Sequence, residues 1–173
     1  SPKSIMKEAQ KRGLHFVGIC DHNSGENVSA AKKAGERERI CVIGGMEVTS
    51  QEEVHVLALF DETSCLQALQ KVVYKNLPGT NDERLYGDQV VVNEDDEVVG
   101  FNKKLLIGTT EIPLYEIVEL IHRLKGLAIA SHIDREGFGI IGQLGFIPED
   151  LSLDAVEFTA PPQRDRVSLT KDF

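Results

Sequence analysis

The chain has 173 residues, with 19 Lys and Arg against 28 Asp and Glu and a formal net charge of −9. This length and a 41% hydrophobic fraction suit one globular domain over 1–173 and exclude a disordered or collagen-like chain. The acidic balance and the lack of an extended Lys/Arg cluster argue against a general nucleic-acid coat. The longest apolar runs fall far short of the roughly 18 residues that a membrane span requires.

Ser1-Pro2 reads as a helix N-cap followed by proline at the first helical position, and Ile5, Met6 and Ala9 form an apolar stripe that stops at Arg12-Gly13. Residues 14–20 are a short apolar run, predicting a buried strand that ends in the polar loop Asp21-His22-Asn23-Ser24-Gly25. Helical spacing of Val28, Ala31 and Ala34 predicts a helix over 27–38, and 40–48 predicts another buried strand, interrupted by Gly44-Gly45. A third strand is predicted over 54–60. A tight return centred on Gln51 would place Glu47 opposite His55.

Leu66, Leu69, Val72 and Val73 predict a helix over 66–77, closed by Pro78-Gly79. The rhythm then changes, because 89–101 is two β-runs around an acidic turn, which predicts a hairpin inserted over about 80–108. The run Glu94-Asp95-Asp96-Glu97 lacks calcium-loop spacing and reads as a solvated turn. Leu114, Ile117, Val118 and Ile121 predict a helix over 112–124, followed by a strand over 127–131 tipped by His132. A packed glycine-rich loop is expected over 138–146 and a last strand over 155–159, before Pro161-Pro162. Alternating strands and helices imply α/β crossover units in a mostly parallel sheet or barrel. A closed (β/α) barrel typically takes about 250 residues, so the expectation is an open barrel or a cut chain.

Cys20, Cys41 and Cys65 are odd in number and lack C-x-x-C spacing, which fits a reducing cytoplasm without a disulfide framework. Cys20 reads as a small core residue rather than a nucleophile. His22, Glu47, His55 and His132 all fall at the ends of apolar strands, where parallel α/β folds build their sites. Three imidazoles and a carboxylate suit Zn, Mn or Fe. Taken singly, each histidine also reads as a hydrogen-bonding loop residue, and Glu47 as a capping or salt-bridged carboxylate. His55 is the most telling, since an imidazole inside an apolar strand is costly unless its nitrogens are satisfied. Asp21 is a turn former or the partner that orients a ligand imidazole. Arg135 either holds a phosphate in a bidentate fork or pairs with Asp134 or Glu136. His15 and His122 read as surface residues.

Gly18-Ile19-Cys20-Asp21-His22-Asn23, Gly45-Met46-Glu47-Val48, Glu53-Val54-His55-Val56-Leu57 and Ala130-Ser131-His132 together resemble, in order, internal motifs of the PHP (polymerase and histidinol phosphatase) family. The resemblance spans about 5–157. It implies a distorted (β/α)7 TIM-like barrel that holds up to three divalent metal ions and hydrolyses phosphate esters. It implies that His22, Glu47, His55 and His132 are metal ligands, with Glu47 bridging two ions and Asp21 supporting them from outside. The family's opening His-x-His and closing Asp-x-His motifs are not in this chain, which begins in the helix that should follow the first strand. The barrel is therefore expected to be incomplete at both ends, the four ligands to fill one tetrahedral site, and these residues alone to be weak or inactive. A small phosphomonoester or nucleotide is the favoured substrate. The alternatives are a nuclease-type phosphodiesterase and a non-catalytic metal-binding module. Retention of all four internal ligands favours the enzyme.

Overall fold

The computed structural model describes residues 1–159; the Pro161-Pro162 pair expected to follow the last strand lies outside them. Helix α1 (Pro2–Lys11) leads into strand β1 (Phe16–His22), helix α2 (Val28–Glu38) and strand β2 (Cys41–Thr49). Strand β3 (His55–Phe60) follows at once, then helix α3 (Thr63–Lys75). The insert carries the short α4 (Glu83–Tyr86) and the hairpin β4 (Val90–Val92) and β5 (Val98–Phe101). Helix α5 (Leu114–Arg123), strand β6 (Leu127–Ala130), the short helix α6 (Ile140–Leu144) and strand β7 (Ala155–Val156) complete the fold. The glycine-rich stretch expected as a loop thus contains a turn of helix, and the last strand is shorter than its apolar run.

The main sheet has five strands in the order β1-β2-β3-β6-β7. β1 and β2 pair parallel, as do β6 and β7, whereas β3 runs antiparallel to both β2 and β6. The sheet is therefore mixed rather than mostly parallel. The cause is local: only residues 50–54 separate β2 from β3, too few for the crossover that a parallel pair requires. Among the described residues the sheet is open, with β1 and β7 as its edges, and no closed barrel forms.

The β2–β3 return also differs from the expected register. Thr49, not Glu47, lies opposite His55, and Glu47 pairs with Leu57. The turn holds itself one residue later than expected, with Ser50 N–H bonded to Val54 O at 2.9 Å and Glu53 in a left-handed conformation at φ 60°. The displacement along the strand is even, so both side chains stay on one face.

One face of the sheet packs on α3 and α5. Their apolar stripes bury Leu66, Leu69 and Val73 from α3 and Leu114, Ile117, Val118 and Ile121 from α5 against Met46, Val56 and Ala58. A smaller cluster of Met6, Ala9, Ala31, Ala34, Ile40 and Val42 seats α1 and α2. The inserted hairpin pairs only with itself. Its acidic turn is not simply solvated, because Arg37 Nη1 holds Asp95 at 2.6 Å, Lys33 Nζ holds Glu94 at 3.3 Å and Ser1 Oγ holds Asp96 at 2.6 Å. Asn27 continues this anchorage, donating to Val90 O at 3.2 Å and accepting from Val92 N–H at 3.0 Å. Among the described residues no helix is long and apolar enough to cross a membrane.

Candidate metal centre

The parallel register of β1 and β2 sets His22 directly beside Glu47, and neighbours in a parallel pair project to the same face. His22 Nδ1 lies 3.0 Å from Glu47 Oε2. β3 opens with His55, whose place two residues diagonally from Glu47 brings its Nδ1 to 3.4 Å from Glu47 Oε1. β6 runs out through Ser131 to His132, whose Nε2 stands 3.5 Å from Glu47 Oε1 and 3.2 Å from His55 Nδ1. Three ring nitrogens from three strands thus converge on one carboxylate. Donor atoms of His22, Glu47 and His55 all lie within 4.8 Å of one another.

The cluster is walled on one side. His55 and His132 are 7% and 8% exposed, and Phe138 stacks on the His55 ring with centroids 4.5 Å apart. The Phe138 carbonyl also accepts the His55 N–H at 2.9 Å. His22 closes the other side only partly, its side chain being 47% exposed. There it borders a cleft of about 280 Å³ shared with Asp21, Glu26, Val91, Asn102 and Ile107, so the inserted hairpin forms the far wall.

Burial by itself would push the Glu47 carboxyl up. Hydrogen bonds from His22 and His55, with the positive charge these rings can carry, outweigh it and hold Glu47 well below the usual carboxylate range. The bond to Glu47 in turn raises His22 above the ordinary imidazole value. Burial, reinforced by the Glu47 charge, pushes the Cys20 thiol up to about 12, which speaks against a nucleophile, although the side chain is only half-buried and belongs to neither apolar cluster. The donor set suits a divalent ion of borderline softness: imidazole nitrogens around an anionic carboxylate, in a walled pocket with one open side. His132 Nδ1, the ring atom that faces away from Glu47, is buried without a hydrogen-bond partner among the described residues.

The other candidate residues lie further out. Asp21 precedes His22 and lines the same cleft, where its carboxylate accepts from Asn27 Nδ2 at 3.4 Å; among the described residues it bonds to no ring of the cluster. Arg135 is exposed in the turn after His132, its backbone N–H bonded to His132 O at 2.9 Å. Among the described residues its guanidinium pairs with neither Asp134 nor Glu136, and Asp134 is instead held by Thr159 Oγ1 at 2.6 Å. His15 is exposed, as expected, while His122 reaches Asp154 at 2.8 Å and ties α5 to the approach of β7.

Two residues at the cluster escaped sequence reasoning. Phe138 sits in a glycine-rich stretch whose composition says loop and nothing more. Glu157, which accepts the His132 N–H at 3.0 Å, had a usable signal: it is a polar residue just past an apolar strand, the pattern that singled out His22 and His132.

No family model matches the chain. Over 62 residues it is 29% identical to the phosphoribosyl 1,2-cyclic phosphate 1,2-diphosphodiesterase of Eggerthella lenta, a match covering 33% of this chain and 24% of that protein's length. Its fold is similar to that of a Bifidobacterium adolescentis protein provisionally assigned as a metal-dependent phosphoesterase, with a TM-score of 0.59 and 19% identity over 96% of this chain and 76% of the other. It is also similar to the lesion-specific endonuclease PfuEndoQ of Pyrococcus furiosus, with a TM-score of 0.61 and 16% identity over 91% of this chain and 38% of that one. An amidohydrolase from Chromobacterium violaceum gives a TM-score of 0.52 and 16% identity, over 78% and 62% of the two chains.

Proposed function

We propose that this chain carries the metal-binding face of a PHP-type hydrolase of phosphate esters, with His22, Glu47, His55 and His132 as the ligands. The convergence of three imidazoles on the Glu47 carboxylate, from residues far apart in the chain, is the observation that carries the reading. In this reading the open five-stranded sheet is part of a distorted (β/α)7 barrel, the architecture that the family resemblance implies. The names of the relatives support phosphoester chemistry: one is a cyclic-phosphate diesterase, one is assigned as a metal-dependent phosphoesterase, and one is an endonuclease.

His22, Glu47, His55 and His132 would hold a divalent ion, which would supply Lewis acidity for phosphoester hydrolysis near neutral pH. The residues of the chain contribute the rest. Glu47 stays anionic, so its two oxygens offer charge to the site at any physiological pH. Phe138 keeps water from the buried side of His55. The open His22 side, with its cleft, admits the substrate. Arg135, exposed on the same rim, offers a bidentate fork to a phosphate, and Asp21 supports the His22 end of the site. A small phosphomonoester or nucleotide is the favoured substrate, because the cleft presents Asp21 and Glu26 and no cation to a long polyanion. The cyclic-phosphate diesterase match favours a small phosphodiester as the second reading.

Plasma mass spectrometry of protein purified without chelators is expected to find about one equivalent of Zn, Mn or Fe per chain, lost in His55→Ala. Absence of metal from both samples overturns the assignment. Turnover of a nucleoside monophosphate, a cyclic phosphate and a short oligonucleotide by the metal-loaded protein then separates the substrate classes.

A further inference from the structure

We propose that Glu157 is a positioning residue that fixes the His132 imidazole in the cluster by holding the His132 peptide from the neighbouring strand. The proposal rests on the metal-site reading of His132 but is tested separately from it. His132 follows the last residue pair of β6 and sits at φ 30°, a left-handed conformation that a β-substituted residue adopts only when its surroundings impose it. Beside the bonds from Ser131 N–H to His55 O at 3.1 Å and from Arg135 N–H to His132 O at 2.9 Å, three of those that hold the segment come from one residue. Glu157 N–H donates to Ala130 O at 2.9 Å, its carbonyl accepts from Ile133 N–H at 2.9 Å, and its carboxylate Oε2 accepts from His132 N–H at 3.0 Å. The three bonds bracket His132 on both sides and at its own amide.

The remaining contacts of His132 show why this matters. The ring makes no hydrogen bond through Nδ1, and its Nε2 meets only His55 and Glu47 among the described residues. Metal-binding histidines are usually aimed by a bond from the second ring nitrogen to a carboxylate or carbonyl. Among the described residues that device is missing, so the ring is aimed by its Nε2 neighbours and by the backbone that carries it. Glu157 supplies a carboxylate to the histidine at its amide instead of at its ring. An amide acceptor requires an oxygen at that point and not a negative charge, which distinguishes positioning from electrostatic support.

The experiment compares the 173-residue chain with its Glu157→Gln and Glu157→Ala variants. The glutamine retains an acceptor oxygen at the same reach, while the alanine leaves the His132 N–H without one. In metal-free protein, the ring resonances of His132 and His55 are expected to shift in the alanine variant and to stay near their original positions in the glutamine variant. Titration with Co²⁺, followed by its visible absorption, is expected to show affinity about 10- to 100-fold weaker for alanine, with an altered band shape, and restored by glutamine. Unmoved ring resonances in the alanine variant overturn the proposal. So does a glutamine variant as impaired as the alanine, since charge would then be what Glu157 contributes. Failure of the parent chain to bind Co²⁺ defeats the metal reading instead, and the metal-free resonances still decide the role of Glu157.

Discussion

Gly45 lies two residues before Glu47 on the central part of β2, and a Cβ there would stand 2.5 Å from the Ala58 carbonyl oxygen and 2.7 Å from Cys20 Sγ. The carbonyl belongs to the paired strand and cannot swing aside. Gly45→Ala is therefore expected to cost about 1–3 kcal/mol, read from the urea midpoint, and to weaken metal binding by displacing Glu47; an unchanged midpoint would refute the close approach. Cys20 provides a second check at this scale. A thiol raised to about 12 is almost wholly protonated at pH 8, so alkylation there should modify the exposed Cys41 long before Cys20. Peptide mass spectrometry of a labelling time course decides this, and equal rates would contradict the raised thiol of the half-buried Cys20. The site was partly legible residue by residue. His22, Glu47 and His132 announced themselves as polar tips on apolar strands, and His55 as an imidazole within one. Phe138 did not, because its place over His55 is set by a turn with φ 62° at its own backbone, which no hydrophobic period encodes.

Among the elements, the inserted hairpin was legible as two β-runs around an acidic turn, but its attachment was not. Asp95 and Glu94 meet Arg37 and Lys33 of α2, and Asp96 meets the start of α1, partners far away in the sequence and carried on another layer. The bond from Arg37 lowers Asp95. Glu94 is lowered chiefly by a backbone hydrogen bond and Asp96, against its own desolvation, by Ser1. Carboxyls lowered on folding contribute stability that is present above their ordinary values near pH 4 and is lost as pH falls through the lowered ones. The hairpin is thus expected to stay docked at neutral pH and to loosen below about pH 4, and sooner in high salt because these pairs are exposed. Amide exchange should show faster opening over 90–101 in Arg37→Ala at pH 7, with little change in the β2–β3 pair. Identical exchange in the two proteins would remove the latch. The four long helices, by contrast, were readable to within a few residues, since stripes such as those of α3 and α5 are the same residues that fill the core, whereas the short α4 and α6 carry no such stripe and were not read.

For the molecule as a whole, a metal that binds only the folded chain stabilises it by mass action, by about 2.7 kcal/mol at a concentration one hundred times its Kd. The Tm is expected to rise with the logarithm of added Zn²⁺ or Mn²⁺ and to fall back on chelation, with no such dependence in His55→Ala. A Tm indifferent to metal in the parent chain would count against the site. The α/β class was readable from alternation along the chain, whereas the mixed sheet was not, because strand direction depends on how little chain separates β2 from β3. That reversed strand also orders the assembly of the site. β1, β2 and β3 pair with their neighbours in sequence, so His22 and Glu47 come together across a single helix, α2, and Glu47 and His55 across a five-residue turn. β3 must then wait for β6, which lies beyond α3, the whole insert and α5. Closing that long loop is the slow, entropically costly step, and it is the one that delivers His132. During folding, three of the four candidate ligands are expected to meet early and the fourth last, so a longer insert is expected to slow completion of the centre modestly.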